Sequence, residues 1–134
     1  MTEPTSEHPN VALAKRLFDA FGRRDGAVVA ALLDKDVVWR VGCETPVSGE
    51  YVGRRAVVAF LGMTTRTTDG TYRSTLHYAV ADDERMIAYY RANGVRNGIE
   101  LDSDQLLLCR IYDGRLIEVT AVPVDHRAFE AFWA

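Results

Sequence analysis

Two aspartates in the second half of the chain have a spacing that could make them a catalytic pair. Asp102 and Asp104 lie two residues apart in a predicted strand, so their side chains share one face of the sheet. Paired carboxylates serve as general acid and base in many enzymes. The alternation that buries Leu101, Leu107 and Cys109 turns both aspartates outward, and only a β-bulge would turn them inward. We therefore expect a solvated pair or part of a dimer face.

Tyr90 and Gln105 are the residues we select as candidate catalytic groups. Gln105 shares the inward parity of Leu107, as does Ser103, and its amide could hydrogen-bond a ligand. The hydroxyl group of Tyr90 could donate a proton or anchor a ligand, although an ordinary tyrosine pKa of about 10 makes it a poor base. The alternatives are a core amide with satisfied hydrogen bonds and a plain core aromatic residue.

His77 and Tyr78 compete for one inward position in the strand that follows Thr71. An even-length connection at Asp82-Asp83 would pair His77 with Ala88 on the interior face, whereas an odd-length connection would place Tyr78 there. Hydrophobic alternation favours Tyr78, which we count among the ligand-binding candidates. His77 remains the alternative at this position.

The sequence contains no recognisable set of metal ligands and no cofactor-binding loop. His8, His77 and His126 are far apart in the chain, and Cys43 and Cys109 do not have the spacing of a metal site. No Gly-rich phosphate loop is present. We therefore predict neither a metal nor a cofactor, and we expect both cysteines to be free thiols.

Helices dominate the first half of the chain. Apolar periodicity predicts a first helix that is capped by Asn10 and ends near Gly22, and a shorter second helix capped by Asp25. It predicts a third helix from about Arg54 to Met63 or slightly beyond. A β-branched and aromatic strand, Val37 to Val41, lies between the second and third helices. A loop from Gly42 to Gly53 follows this strand and is long enough to lie over a site.

Strands dominate the second half, where the hydrophobic period changes to two after Thr71. Asn97-Gly98 and Asp113-Gly114 are strong signals for tight hairpin turns, so we expect a sheet that grows by consecutive antiparallel hairpins. The hairpin around Asp113-Gly114 joins the strands on either side within Leu106 to Pro123. Asp125 can cap a short closing helix.

Length and charge limit the class of protein. The chain has 134 residues and a net charge of −3. We expect a loose tail at residues 1–8 and one domain at residues 9–134. The charge offers no electrostatic footprint for nucleic acid or for an anionic membrane, and no apolar run approaches the ~20 residues of a membrane span. The polar, acidic start does not resemble a secretory signal, so we predict a cytoplasmic protein.

Four stretches together resemble the nuclear transport factor two-like superfamily, within it the SnoaL-like polyketide cyclase and ketosteroid isomerase branch. They are Ala20 to Asp25, Asp36 to Trp39, Gly49 with Tyr51 and Gly53, and Arg110 to Glu118. The resemblance implies an α+β fold in which a cone-shaped, curved antiparallel sheet with a mixed edge wraps three N-terminal helices, with a short C-terminal helix. It also implies an apolar small-molecule pocket and a homodimer formed through the outer sheet face.

The residues expected to line this pocket are largely apolar, with a few polar tips, as in most ligand sites. They are Leu17, Phe21, Trp39, Val41, Tyr51, Phe60, Met63, Tyr78, Tyr90, Gln105, Leu107 and Ala121. The alternative for most of them is that they touch one another as a filled core.

The catalytic groups of the related enzymes have no counterparts here. The resemblance places the base of ketosteroid isomerase-like members at Val41, their tyrosine at Leu17 and their acid at Leu107 or Leu106. It places the aspartate of SnoaL-like aldol cyclases at Ala121 and their histidine at Leu107. The arginine and aspartate of limonene epoxide hydrolase-like members would fall near two further positions, Tyr90 and Ala92.

Two functions therefore remain open. The first is an enzyme of the cyclase or isomerase type that acts, without a cofactor or the usual carboxylate, on an apolar polyketide-, terpenoid- or steroid-like compound. The second is a non-catalytic protein that binds an apolar ligand or forms a dimeric interaction surface. Whether the chain is an enzyme is left open at this point.

Overall fold

The computed structural model describes residues 7–134. Residues 1–6 of the predicted tail lie outside the described residues. His8, which the tail prediction included, caps the first helix, because its Nδ1 accepts a hydrogen bond from the backbone N–H of Asn10 at 3.0 Å. Asn10, which we predicted as the cap, instead donates from its side chain to the carbonyl oxygen of Asp82 at 2.9 Å.

Four helices and six strands form within residues 7–134. The helices are α1 (Pro9–Gly22), α2 (Gly26–Leu32), α3 (Arg54–Arg66) and α4 (His126–Trp133). The strands are β1 (Leu33–Val41), β2 (Gly49–Val52), β3 (Arg73–Ala81), β4 (Arg85–Arg96), β5 (Ile99–Tyr112) and β6 (Arg115–Pro123). Among the described residues, no helix is both long and apolar enough to cross a bilayer.

The predicted helix starts at Asp25 and Asp125 are confirmed. The carboxylate of Asp25 accepts from the backbone N–H of Val28 at 3.1 Å, and that of Asp125 accepts from the backbone N–H of Ala128 at 3.0 Å. Each cap satisfies a helix N–H that has no partner within its own helix.

The strands form one mixed sheet in the order β2-β1-β6-β5-β4-β3. β1 and β6 are parallel, and the other neighbours are antiparallel. The two predicted hairpins are confirmed, since Asn97, Gly98, Asp113 and Gly114 all have positive φ angles between 52° and 77°. Such angles match the twist of the flanking strands. The predicted α+β fold is therefore confirmed, with β1 beside β6 as the parallel step of the mixed sheet.

The segment from Gly42 to Gly53, predicted as a loop, contains the short edge strand β2. Tyr51 pairs with Trp39 of β1, and its ring stacks on Phe60 of α3 with ring centroids 4.2 Å apart. Its hydroxyl group donates to the carbonyl oxygen of Val47 at 2.7 Å. These contacts of one aromatic residue explain why a short, glycine-bounded segment joins the sheet.

A register shift in β3 changes which side chains face the interior. Leu76 pairs with Tyr90, but Tyr78 pairs with the next residue along, Tyr89, so His77 is the extra residue of a bulge. Tyr78 consequently lies on the outer face, where it is 58% exposed. The prediction that Tyr78 faces the pocket was wrong, because it assumed uninterrupted alternation through the strand.

The inner face of β5 carries a continuous row of buried side chains, as predicted. The row consists of Leu101, Ser103, Gln105, Leu107, Cys109 and Ile111. Asp102 and Asp104 therefore point to the outer face, and the predicted orientation of both is confirmed. On the inner face of the sheet, α4 packs on β4 and β5, α1 packs on β3 and β4, and α3 packs on β1 and β2.

Candidate functional site

A cavity of about 70 Å³ lies between the inner sheet face and the helices. Its wall is apolar or aromatic except for a few polar side chains. The residues that line it are Leu17, Phe18, Phe21, Trp39, Val41, Val47, Phe60, Leu61, Thr64, Tyr72, Ser74, Tyr90, Gln105, Leu107, Ala121, Phe129 and Trp133.

The floor of the cavity comes from three adjacent strands. Val41 of β1 pairs with Ala121 of β6, and Ala121 pairs with Leu107 of β5, so these side chains form one lateral row on the inner face. Because the middle residue of the row is an alanine, the floor is recessed at its centre. The strand register thus creates the space that the aromatic side chains surround.

The closing helix α4 supplies part of the wall. Phe129 and Trp133 are one helical turn apart, so both project from the same face of α4 towards the cavity. The ring of Trp133 lies against that of Tyr72, with centroids 5.6 Å apart. The guanidinium group of Arg96 lies 6.0 Å from the Trp133 ring and donates to the carbonyl oxygen of Phe132 at 3.0 Å. Arg96 therefore holds the end of α4 against the sheet.

Tyr90 and Gln105 form the polar centre of the cavity wall. They face each other across β4 and β5, and the hydroxyl group of Tyr90 donates to Oε1 of Gln105 at 2.8 Å. The ring of Tyr90 also packs edge-on against Phe18, with centroids 5.0 Å apart. Both polar side chains are thus held in place by the sheet and by α1.

Burial raises the pKa of Tyr90 well above its ordinary value. Burial also raises the pKa of the second lining phenol, Tyr72, to about 12. Both phenols therefore keep their protons near neutral pH, because the apolar surroundings disfavour the charged phenolate. They can donate or accept hydrogen bonds, but neither can act as a base.

Within residues 7–134, the lining includes no aspartate, glutamate, histidine, lysine or arginine. Its polar groups are two phenols, two indoles, the hydroxyl groups of Thr64 and Ser74, and the amide of Gln105. The hydroxyl group of Thr64 already donates to the carbonyl oxygen of Leu61 at 2.6 Å. Such a wall can bind and orient a neutral molecule by shape and hydrogen bonds.

The structure brings most of the predicted site residues together. Around the cavity lie Leu17, Phe21, Trp39, Val41, Phe60, Tyr90, Gln105, Leu107 and Ala121. Tyr51 and Met63 are half-buried and pack against the core, but they do not line the cavity. Tyr51 contacts the wall indirectly, because its ring stacks on the lining residue Phe60. Tyr78 lies on the opposite face of the sheet.

Several lining residues were not predicted. They are Phe18, Val47, Leu61, Thr64, Tyr72, Ser74, Phe129 and Trp133. Tyr72 and Ser74 have the same parity as Leu76 before the bulge, so strand periodicity could have identified them. The apolar face of α4 was recognised, but nothing local to that segment indicated which end of the sheet it would cover.

The other polar candidates form a cluster on the outer sheet face. Arg91 lies 2.9 Å from Asp102 and 3.1 Å from Asp104, while His77 Nε2 lies 3.5 Å from Asp104. The hydroxyl group of Tyr89 also donates to Asp104. These contacts lower the pKa values of both carboxyl groups, through Arg91 for Asp102 and through Tyr89 and then Arg91 for Asp104. None of these residues contacts the cavity.

No group of three or more histidine, cysteine, aspartate or glutamate side chains comes together as a metal site in the part of the chain that the structure describes. Cys43 and Cys109 are free thiols. Burial raises the pKa of Cys109 to about 12, so this thiol stays protonated and is a poor nucleophile.

A six-stranded mixed sheet that curves around helices and encloses an apolar cavity is the architecture of the nuclear transport factor two-like fold. The chain belongs to the SnoaL-like domain family, whose model matches residues 14–119. An uncharacterised protein of Mycobacterium tuberculosis is 32% identical over 130 residues, which cover 96% of this chain and 99% of the relative.

Solved structures agree with this assignment. Bal32a, from a soil-derived mobile gene cassette, superposes with a TM-score of 0.91 at 26% identity and covers 94% of this chain and 97% of its own. A protein of unknown function with a cystatin-like fold from Xanthomonas campestris has a TM-score of 0.86 at 26% identity, covering 92% of this chain and 97% of its own. A putative polyketide cyclase from the same species, at 22% identity and a TM-score of 0.74, shares the fold.

Proposed function

We propose that this protein binds an apolar compound of the polyketide, terpenoid or steroid type in the cavity, and that it acts without a catalytic carboxylate. The observation that carries the proposal is the wall itself, since the lining residues described in 7–134 are apolar or neutral. Transfer of a neutral, apolar molecule from water into such a site is favourable in free energy. Transfer of an ion is unfavourable, because the ion loses its hydration and receives no counter-charge.

The volume of the cavity limits how much of the compound it holds. At about 70 Å³ it is smaller than the roughly 150 Å³ of an apolar cavity that admits benzene. A compound with several rings therefore inserts one ring or a branched end and displaces wall side chains to do so. Leu61 is a half-buried lining side chain, so it can change rotamer more easily than the fully buried ones.

Any reaction in this cavity relies on positioning, with Tyr90 and Gln105 as the polar groups nearest the ligand. Holding a flexible compound in a reactive conformation lowers the barrier to ring closure or rearrangement without proton transfer to the protein. The raised pKa of Tyr90 favours a second candidate, non-catalytic binding, because no lining phenol can act as a base.

Structural relatives support a small-molecule role. TerC, with a TM-score of 0.81 at 17% identity, was co-crystallised with polyporic acid. A second relative with this fold, from Xanthomonas campestris, is described as a putative polyketide cyclase. We carry over from these proteins only the use of the fold as a container for a small molecule.

Native mass spectrometry of the protein purified from its own host tests the proposal. We expect a mass increment from a retained small molecule, which disappears after denaturation. Incubating the released compound with fresh protein then separates the two candidates, because an enzyme converts it to a product of different retention time and a carrier returns it unchanged. A host-purified protein that retains nothing and binds no apolar probe would contradict the proposal.

We also propose that a second copy of the chain covers the outer sheet face. Val80, Ile87 and Leu108 are direct neighbours across β3, β4 and β5, and each is at least 40% exposed. Contiguous apolar side chains of this kind mark association surfaces. The resemblance to dimeric relatives favours an identical partner.

The cytoplasmic location expected from the N-terminal sequence stays a prediction.

A further inference from the structure

One buried nitrogen atom of a cavity-lining residue has no hydrogen-bond partner among residues 7–134. Gln105 is only 3% exposed, and its Nε2 is buried without a hydrogen bond to any of the residues described in 7–134. An amide nitrogen carries two N–H donors, and buried donors in proteins are almost always paired. The unpaired nitrogen belongs to a residue that lines the cavity, so the molecule that occupies the cavity is the partner available to it.

Tyr90 determines which end of the Gln105 amide meets the cavity. Its hydroxyl group donates to Oε1 at 2.8 Å, and the packing of Phe18 against its ring holds the phenol in place. The amide oxygen is therefore paired with Tyr90, and Nε2 is the end of the amide that is left without a partner. The Gln105 amide therefore offers the cavity its N–H groups and not its oxygen.

We infer that the cavity selects neutral apolar compounds that carry a carbonyl oxygen, and that this oxygen accepts a hydrogen bond from Nε2 of Gln105. The inference rests on the proposed function and narrows its ligand class. Ring ketones, quinones and lactones satisfy both the apolar wall and the unpaired donor. A pure hydrocarbon leaves the donor buried without a partner, and a carboxylate finds no counter-charge in the wall.

Gln105 also has a defined chemical role in this arrangement. Its N–H polarises the bound carbonyl group and favours the build-up of negative charge on the oxygen. Tyr90 is a positioning residue, since it acts through the orientation of the amide and not by contact with the carbonyl group.

A matched pair of probes tests the inference. Cyclohexanone and methylenecyclohexane share one ring and differ only in an oxygen atom replaced by a CH₂ group. Trp39 and Trp133 are the only tryptophans of the chain, and both line the cavity, so intrinsic fluorescence reports binding of either probe. NMR of the side-chain amide protons of Gln105 reports the hydrogen bond itself.

We expect the ketone-to-hydrocarbon affinity ratio to fall about 10-fold in Gln105→Leu, which corresponds to the loss of one buried hydrogen bond. In the wild type, the ketone shifts the Gln105 amide proton signals downfield and the hydrocarbon does not. Tyr90→Phe lowers the ratio by a smaller factor, because the amide can then turn. Ser103→Ala, an inward polar residue on the same strand that does not line the cavity, leaves the ratio unchanged.

The outcomes separate the inference from the proposal on which it rests. If both probes bind and the ratio is the same in the wild type and in Gln105→Leu, the inference is overturned and the apolar pocket stands. If neither probe binds, the proposed function fails. If Gln105→Leu does not fold, the amide shifts of the wild type and the ratio in Tyr90→Phe still decide the question.

Discussion

Leu107 on β5 and Ala121 on β6 are direct neighbours across the sheet, and both side chains line the cavity. The resemblance to SnoaL-like aldol cyclases places a histidine and an aspartate at these two positions. Here neither residue can ionise, so the pair forms part of an apolar floor. The size of the residue at position 121 then sets how deep the cavity is.

Filling the floor is expected to block binding without unfolding the protein. Ala121→Leu adds three carbon atoms to a cavity of about 70 Å³, so the new side chain occupies space that a ligand would use. We expect affinity for cyclohexanone, followed by tryptophan fluorescence, to fall at least about 10-fold, while the thermal midpoint is unchanged or raised, since buried voids weaken packing.

Ala59→Leu is the matched control, because Ala59 is an exposed residue of α3 away from the cavity. It should leave probe affinity unchanged. Equal probe affinities in the wild type and in Ala121→Leu would show that the probes bind elsewhere on the protein.

The hydrogen bond between Tyr90 and Gln105 is expected to appear as a coupling energy. Tyr90→Phe leaves Oε1 of Gln105 buried without its donor, and Gln105→Leu leaves the phenol hydroxyl group without its acceptor. Each change should cost about 1–3 kcal/mol in the free energy of unfolding. Urea denaturation of both single variants and the double variant measures these values.

The double variant should cost less than the sum of the two single variants, since replacing both partners by apolar groups leaves no unpaired polar atom. The difference should be at least about 1 kcal/mol. Strictly additive losses would mean that the two side chains do not depend on each other in the folded protein.

Stability in acid is expected to depend on Asp102 and Asp104. Their pKa values in the folded protein are lowered, for Asp104 by the hydrogen bond from Tyr89 and then by Arg91, and for Asp102 by Arg91. A lowered folded-state pKa contributes stability above the unfolded value of about 3.9, and this stability is lost as the pH falls through the folded value. The wild type should therefore lose stability as the pH falls below about 4.

Tyr89→Phe removes the largest cause of the Asp104 shift. The variant should be less stable than the wild type at pH 7, and the two should approach each other at low pH, where Asp104 is protonated in both. Urea denaturation across this range, together with carboxyl-carbon NMR titration of Asp104, gives the measurement. Tyr112→Phe, at an exposed tyrosine, is the control and should keep the wild-type profile. A constant difference at every pH would exclude this linkage.

A charge in the outer apolar row of Val80, Ile87 and Leu108 is expected to dissociate the proposed dimer. Leu108 is 43% exposed and lies beside Ile87, so Leu108→Glu would place a carboxylate against the apolar side chains of the proposed interface. We expect the dissociation constant to rise at least about 100-fold. Analytical ultracentrifugation should show the mass falling from twice the chain mass of 15.0 kDa to the single-chain value.

Val52→Glu provides the comparison, because Val52 is an exposed apolar residue on the edge strand β2, away from this row. It should leave the mass of the assembly unchanged. A wild-type protein that is monomeric at micromolar concentration would refute the dimer proposal directly.

Local patterns in the sequence were sufficient to predict much of this architecture. Period two in β5 predicted that Gln105 and Leu107 face inward and that Asp104 faces outward, because the side chains of a regular strand alternate strictly between its two faces. Asp113-Gly114 predicted its hairpin because few other dipeptides adopt two consecutive positive φ angles. These features depend only on neighbouring residues.

Tertiary structure alone decided the rest. The bulge at His77 depends on how β3 pairs with β4 over its whole length, so alternation in β3 by itself predicted the wrong face for Tyr78. The short strand β2 forms because Tyr51 stacks on Phe60 of α3 and pairs with Trp39 of β1, and both of these residues lie outside β2. The unpaired nitrogen of Gln105 arises in the same way. The position of Gln105 on the inner face follows from local alternation along β5. The unpaired N–H groups of its amide follow from the placement of Tyr90 on the neighbouring strand, because Tyr90 pairs with the amide oxygen.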